Sequence, residues 1–281
     1  MSTFSAFRYD GKRALVVGGA TGMGAAVAEL VQDAGAEVVV MDFAEVKLAG
    51  AKAIHLNLGE RASIDAAVGE VGEVGGPVDA VFSCAGVADG TPNIEKINFI
   101  GHRYMIDKLL ARGDLKRGSA IGFISSAAGL GWESALPLLK EYLDITDFDA
   151  AAQWAQEHGK ADYFWSKQTI CAYVAREAMS FLKRGIRINA ICPGPTDTPL
   201  AQANKDMWLG FGSDYRAEVG VEAATPLEQA YPLVFLCSDA ATAITGQTII
   251  TDSGYFSAGL TESFPDATPA VHFLLGRYGA L

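Results

Sequence analysis

Residues 15–31 read LVVGGATGMGAAVAELV. An apolar, β-branched run enters a turn carrying Gly18, Gly22 and Gly24, and an apolar-periodic stretch leaves it. Glycines spaced G-x-x-x-G-x-G between a strand and a helix allow a tight turn. They also let a pyrophosphate approach the backbone with its charge at the helix N-terminus. A glycine string alone can be an ordinary turn. The strand before it, the helix after it and its place near the start of the chain favour a dinucleotide site. Asp42 ends the next apolar run, eighteen residues beyond Gly24. A carboxylate there accepts hydrogen bonds from the adenosine ribose hydroxyls and repels the extra phosphate of NADP. Thr21 and Phe43, the positions able to counter it, carry no positive charge, so NAD is expected over NADP. The plainer alternative for Asp42 is a solvated strand end.

The same alternation continues outward. Short apolar runs at 13–17, 37–41, 78–82, 120–124, 186–191 and 247–251 predict strands, with a weaker one at 52–56. Helices are predicted near 22–34, 61–73, 94–112, 162–184 and 226–238. Near-continuous apolarity suggests strands buried on both faces, and the β-α-β order implies an α/β fold. The expected architecture is a single Rossmann-type doubly wound parallel β-sheet flanked by helices, one domain over 1–281. Residues 130–160 stand outside the alternation as a mostly helical insertion. Residues 255–281 form a tail with the apolar run AVHFLL at 270–275.

Composition narrows the function. The 281 residues carry 22 basic against 33 acidic side chains, a net −11, which opposes binding to nucleic acid or an anionic membrane. Cys84, Cys171, Cys192 and Cys237 are scattered among apolar neighbours, suggesting no metal site and reduced thiols in a cytoplasmic protein. The opening MSTFSAFRYD has no secretory pattern, and the apolar stretch 14–31 is interrupted by glycines and Glu29, unlike a membrane span.

Tyr163 and Lys167 lie four residues apart at the start of the helix predicted at 162–184. With 9 Tyr in the chain, chance supplies about a third of one such match, so spacing alone could reflect a surface pair. On a helix the two share a face. An ammonium beside a phenol stabilises the phenolate and lowers its pKa from about 10. Such a Tyr takes a proton from an alcohol or returns one to a ketone, which beside a nicotinamide amounts to hydride transfer.

Taken together, these stretches resemble the short-chain dehydrogenase/reductase family over about residues 11–255. The resemblance implies that Ser126 in GFISSAAG (122–129), rather than Ser125, holds the substrate oxygen. It implies that Asn98 in KINFIGHRYMI holds a water in a proton relay from Lys167, and that Tyr163 and Lys167 also contact the cofactor. Implied cofactor contacts are Gly18, Thr21, Gly22, Met23, Asp42, Phe43, Asn57, Leu58, Cys84, Ala85 and Gly86. Pro193, Thr196 and Thr198 of CPGPTDTPL match the segment that grips the carboxamide, and TDSGYFSAG (251–259) matches a structural end of the last strand, with Ser253 in place of a Gly.

Departures from the family pattern are Val17 for Thr, SCAG (83–86) for Asn-Asn-Ala-Gly, and LNL (56–58) for an Asp at the adenine edge. They bear on cofactor affinity more than on reaction type. The long separation of Ser126 from Tyr163 resembles the branch of bacterial 3-alpha-hydroxysteroid dehydrogenase/carbonyl reductase. There the insertion would shape an apolar pocket, modify an oligomer interface, or both. Trp132, Leu136, Leu138, Leu139, Trp208, Leu209 and Phe211 supply apolar surface near the expected mouth, or simply packing. The function expected is NAD-dependent interconversion of a secondary alcohol and a ketone, on a hydrophobic cyclic or steroid-like small molecule. Alternatives are a non-catalytic dinucleotide-binding sensor and a 3-oxoacyl-carrier-protein reductase, the latter disfavoured because its carrier is acidic. Apolar positions on more than one side of the helix at 162–184 suggest a homodimer or homotetramer.

Overall fold

A computed structural model describes residues 2–276. Among these, seven parallel strands form one sheet in the order β3-β2-β1-β4-β5-β6-β7. The strands are β1 (Arg13–Val17), β2 (Glu37–Asp42), β3 (Lys52–His55), β4 (Val78–Ser83), β5 (Leu115–Ile124), β6 (Arg187–Pro193) and β7 (Thr248–Thr251). The helices between them are α1 (Gly22–Asp33), α2 (Arg61–Val74), α3 (Gly101–Arg112), α4 (Leu136–Asp144), α5 (Phe148–Glu157) and α6 (Tyr163–Lys183). They continue as α7 (Pro199–Ala203), α8 (Lys205–Trp208), α9 (Ser213–Val219), α10 (Pro226–Cys237), α11 (Tyr255–Leu260) and α12 (Thr268–Leu274).

Alternation along each strand builds two cores. Ala14, Val16, Val38 and Val40 face α1 and α10 with Val27, Val31, Ala230 and Leu233. Leu15, Val17, Val39 and Met41 face the other layer, with residues of α2, α3 and α6. The expected doubly wound sheet is therefore present. Burial on both faces holds for β1, β2 and β6 but not for β3 and β7, which are partly exposed edges. β5 begins five residues earlier than its apolar run. Its first part, LKRGS, is polar and joins β4 through a register shift between Val78 and Ala80.

The strand order reverses at β1, between β2 and β4. In open α/β sheets that switch point, at the carboxyl ends of the strands, is where a ligand crevice forms. Gly18 sits there with φ +81, and a Cβ on it would lie 2.4 Å from Ala85 Cα, in the loop after β4. A Cβ on Gly24 would lie 1.9 Å from the Gly18 carbonyl oxygen. Both positions need glycine because other backbone fills the space of a side chain.

The insertion is helical, as expected, and forms part of the core. Leu139, Tyr142 and Leu143 of α4 and Phe148, Ala151 and Ala155 of α5 are buried with Phe99 and Trp165. Buried Arg103 of α3 donates 2.6 Å from Nη2 to the Ile145 carbonyl, at the C-terminal end of α4. Gln156 of α5 donates 2.9 Å to buried Glu95. Tyr142 stacks obliquely on Trp165, ring centroids 5.9 Å apart. Part of the apolar surface of α6 is thus met within the chain by α4, while Met179 and Leu182 of the same helix remain exposed. Of the insertion residues assigned to the pocket mouth, Leu139 is fully buried, Leu138 packs against the same core, and Trp132 packs between cores.

Tyr142→Ala is expected to cost about 3–5 kcal/mol of unfolding free energy, the cost of emptying a buried aromatic site. Denaturant unfolding checks this; a loss below about 0.5 kcal/mol would place α4 outside the cooperative core.

Candidate active site

A cavity of about 240 Å³ opens at the carboxyl ends of β1, β4, β5 and β6. Its lining joins Met23 of the glycine turn, Cys84 and Gly86 after β4, Ser126 after β5, Tyr163 and Lys167 on α6, and Thr196 and Thr198 after β6. Residues far apart in sequence meet there because each ends a strand or begins a helix on the same edge of the sheet.

Tyr163 opens α6. Asp162 caps the helix, accepting from Trp165 N at 2.7 Å, and Asp89 accepts from Tyr163 N at 2.7 Å. The Ser126 hydroxyl lies beside the Tyr163 hydroxyl and lowers its pKa, and both residues line the cavity. Ser126 Oγ also accepts from Ala128 N at 3.2 Å, which fixes its direction. Ser125 points elsewhere: its buried hydroxyl donates 2.9 Å to the Lys167 carbonyl and lies 3.3 Å from Cys171 Sγ. Both serines line the cavity, but only the Ser125 hydroxyl is engaged by the α6 backbone.

Lys167 is buried, with Nζ 5.4 Å from the Tyr163 ring centroid and donating 3.0 Å to the Ile124 carbonyl. Burial, which disfavours the charged form, lowers its pKa to about 8. Burial likewise pushes Tyr163 up to about 12, the Ser126 hydroxyl opposing and the Asp89 charge adding. The lowered phenol pKa expected from the ammonium is not what the protein alone provides. Desolvation dominates, and the Lys167 nitrogen is directed at the Ile124 carbonyl.

Asn98 lies in a π-helical turn, Lys96–Ile100, that leads into α3. It is fully buried; Oδ1 accepts from Val87 N at 2.8 Å, and Nδ2 donates to the Val87 carbonyl at 3.0 Å and to Ser166 Oγ at 3.2 Å. Both amide hydrogens are occupied, so the side chain ties the loop after β4 to the first turn of α6. The side chain itself does not bond Lys167.

The residues present fit a dinucleotide. The first turn of α1 has no side-chain cap at Thr21, so its leading N–H groups face the turn whose Gly18 and Gly24 admit no side chain. Gly22, at φ +58, leaves a Cβ position 3.5 Å from Thr198. Asp42 accepts from Ala20 N and Ala44 N, each at 2.8 Å, and retains lone pairs at the strand end. Exposed Phe43 lies beside it, its ring 5.5 Å from that of His55. Pro193 ends β6; Thr196 Oγ1 donates 3.0 Å to the Gly194 carbonyl, and Thr198 caps α7. Two adenine-edge residues are otherwise engaged. Asn57 accepts from Gly59 N at 3.0 Å and donates to Glu60 at 2.9 Å, while the Leu58 side chain is in the core. Cys84 lines the cavity, and burial raises its thiol pKa, which keeps it protonated.

Two residues at or beneath the site were not singled out by the sequence. Fully buried His102 places Nε2 3.0 Å from the Ala85 carbonyl, supporting the SCAG loop from below, and burial lowers its pKa to about 4. Its signal was its place four residues after Asn98 on the same helix face. Leu274 of α12 also lines the cavity, a long-range placement that no local pattern announces.

A family model described as Enoyl-(Acyl carrier protein) reductase matches residues 18–256. Coniferyl-alcohol dehydrogenase of a Pseudomonas species is 26% identical, covering 88% of this chain and 97% of the relative. 3-Alpha-hydroxysteroid dehydrogenase/carbonyl reductase of Comamonas testosteroni is 27% identical, covering 85% of this chain and 95% of the relative. The crystal structure of a 3-alpha-hydroxysteroid dehydrogenase from Pseudomonas sp. B-0831 complexed with NADH is similar at a TM-score of 0.73. It is 25% identical and covers 90% of this chain and 99% of its own. The chain belongs to the short-chain dehydrogenase/reductase family, and is an oxidoreductase of the kind that binds a nicotinamide dinucleotide.

His102 is neutral in the fold down to about pH 4 but titrates near 6.5 when unfolded. The unfolded chain therefore binds the extra proton between those values, and stability falls as pH drops through that window. Between pH 7 and pH 5 the native protein should lose about 2 kcal/mol from this group. His102→Gln should lack that increment in parallel denaturant titrations; equal acid losses in both would place the imidazole's titration elsewhere.

Proposed function

We propose that this short-chain dehydrogenase/reductase interconverts a secondary alcohol and a ketone with NAD, on a neutral hydrophobic substrate, cyclic or steroid-like. The observation that carries this reading is the convergence of Ser126, Tyr163 and Lys167 on one cavity whose other end is the glycine turn. Ser126 would hold the substrate oxygen against Tyr163, which moves the proton at its hydroxyl. Lys167 would contact the cofactor and bias the phenol, and Asn98 would keep the loop after β4 in register with α6. When bound, the nicotinamide accepts or returns the hydride, and its positive oxidised ring supplies the attraction for a phenolate that Lys167 alone does not. Asp42 supports NAD over NADP. So does the neighbour complexed with NADH, and the names of the relatives favour ring-bearing alcohols.

An acyl-carrier substrate fits less well. The chain is itself acidic at −11, and among the described lining residues the charged ones are Asp89 and Lys167, leaving no basic rim for an acidic carrier. Among the described residues no helix is long and apolar enough to cross a membrane, and a cytoplasmic location is part of the same proposal. A homodimer or homotetramer would use exposed apolar surface such as Met179 and Leu182 of α6, Leu227 and Tyr231 of α10, and the β7 edge.

The purified protein should oxidise NADH with cyclic ketones. Tyr163→Phe should lower kcat by about 10²–10⁴. NADH binding without turnover of any ketone would instead favour a sensor. Because burial favours the protonated Tyr163, alcohol oxidation should speed up as pH rises and the phenolate fraction grows, levelling off above the phenol's pKa in the NAD-bound enzyme. A flat profile would remove Tyr163 as the base. NADPH should be the poorer cofactor, and Asp42→Ala should narrow the difference in KM; an unchanged ratio would mean Asp42 does not select.

A further inference from the structure

We propose that the C-terminal helix α12 is the size-limiting wall of the substrate cavity. Leu274 sets how large a ring system fits beside Tyr163, and Gly131 is the seat that holds that wall in place. The proposal deepens the dehydrogenase reading and rests on it.

Leu274 lines the same cavity as Ser126 and Tyr163, and packs with Leu130, Trp132 and Phe256. Phe164, the next cavity residue on α6, meets Phe273 edge to face at 5.8 Å between centroids. The near end of α12 is anchored within the fold. Thr268 Oγ1 donates 3.0 Å to the Gly259 carbonyl, and Val271 is fully buried against Gly259 of α11. The far end rests on the insertion. A Cβ on Gly131 would lie 2.0 Å from the Leu274 carbonyl oxygen and 2.7 Å from Leu275 Cα, and Gly131 has φ +71. Glycine is required there both for its conformation and for the tail's approach. The insertion thus acts on the substrate indirectly: its first residues give α12 a seat, and α12 presents Leu274.

The chemistry of the enclosed space selects the ligand class. The apolar part of the lining is built from Leu274, Phe164, Trp208 and Phe211, with Trp208 5.0 Å from the Tyr163 ring. Asp89 at the rim repels anions. Part of the cavity, between Met23 and Cys84, belongs to the cofactor end, so the substrate's ring system is left the part that Leu274 bounds.

The test compares cyclohexanone with a 3-ketosteroid, using NADH, in the wild type and in Leu274→Ala, Leu274→Trp and Gly131→Val. Wild type should prefer cyclohexanone. Leu274→Ala and Gly131→Val should each raise the kcat/KM ratio of steroid to cyclohexanone about tenfold, the discrimination of a few methylenes in an apolar pocket. Leu274→Trp should lower it. Ratios within twofold of wild type in all three variants, or a wild type that already favours the steroid, would overturn the proposal. Calorimetric binding of the 3-ketosteroid to the NADH-saturated protein, with NADH affinity as the folding control, provides a readout independent of turnover. Tighter steroid binding by Leu274→Ala with no turnover of any ketone would sink the dehydrogenase reading and leave the wall standing. Unchanged steroid binding, or none by any form, would sink the wall.

Discussion

The site depends on how closely three backbone segments approach at the carboxyl ends of β1 and β4. Gly18 touches Ala85, and Gly24 touches the Gly18 carbonyl, so the glycine turn, the start of α1 and the loop after β4 form one packed unit. His102 holds that loop from beneath through the Ala85 carbonyl, and Asn98 holds it two residues on through Val87. Asn98 then reaches Ser166, whose hydroxyl donates 2.7 Å to the Tyr163 carbonyl. A continuous series of contacts therefore runs from the phosphate-type turn to the phenol. The π-turn at 96–100 is its centre, and turns of that kind occur often at functional sites. Side chains held this way cannot shift singly, and the pre-organisation that acid/base chemistry needs follows from the packing.

Burial drives every titratable group in this unit toward its neutral form: Lys167 to about 8, Tyr163 to about 12 and His102 to about 4. The common cause is desolvation, which makes the interior sensitive to any charge brought into it. A site of this kind leaves its base protonated at rest and gives large weight to a cation arriving near Tyr163. Asp89 works against that phenolate from the rim, so the ionisation of Tyr163 is set by competition between an exposed carboxylate and whatever lies inside the cavity.

The parts legible in the sequence were those with local causes. Gly18, Gly22 and Gly24 sit where backbone crowding or positive φ demands glycine, Asp42 falls at its strand end, and the period of four puts Lys167 under Tyr163. Ser253 replaces a glycine in the family pattern and has φ +58, so the family's residue type there followed from backbone shape. What stayed hidden needed distant partners. The first half of β5 is polar and pairs only because β4 is beside it; α7, α8 and α9 are too short for periodicity; and Asn57 was diverted to a turn by Glu60. The phenol's pKa was misjudged for a related reason: spacing gives the lysine's position but not the depth of burial or the Ile124 carbonyl that engages it.

The insertion and the tail, the two segments outside the β-α alternation, meet each other at Gly131. Their meeting explains why neither could be assigned a role alone. The insertion's own apolar residues are consumed in covering α6 and the π-turn, so they cannot also line a pocket. The tail helix has seven residues, too few to hold its place without the fold beneath it. Joined, they give a wall whose position depends on the core at one end and on a single glycine at the other. The acid/base pair is built into long elements of the sheet layer, whereas this wall is built from late, short ones. A change in α12 can therefore reshape the cavity with little cost to the geometry that moves the proton, and substrate range can vary while the chemistry is kept.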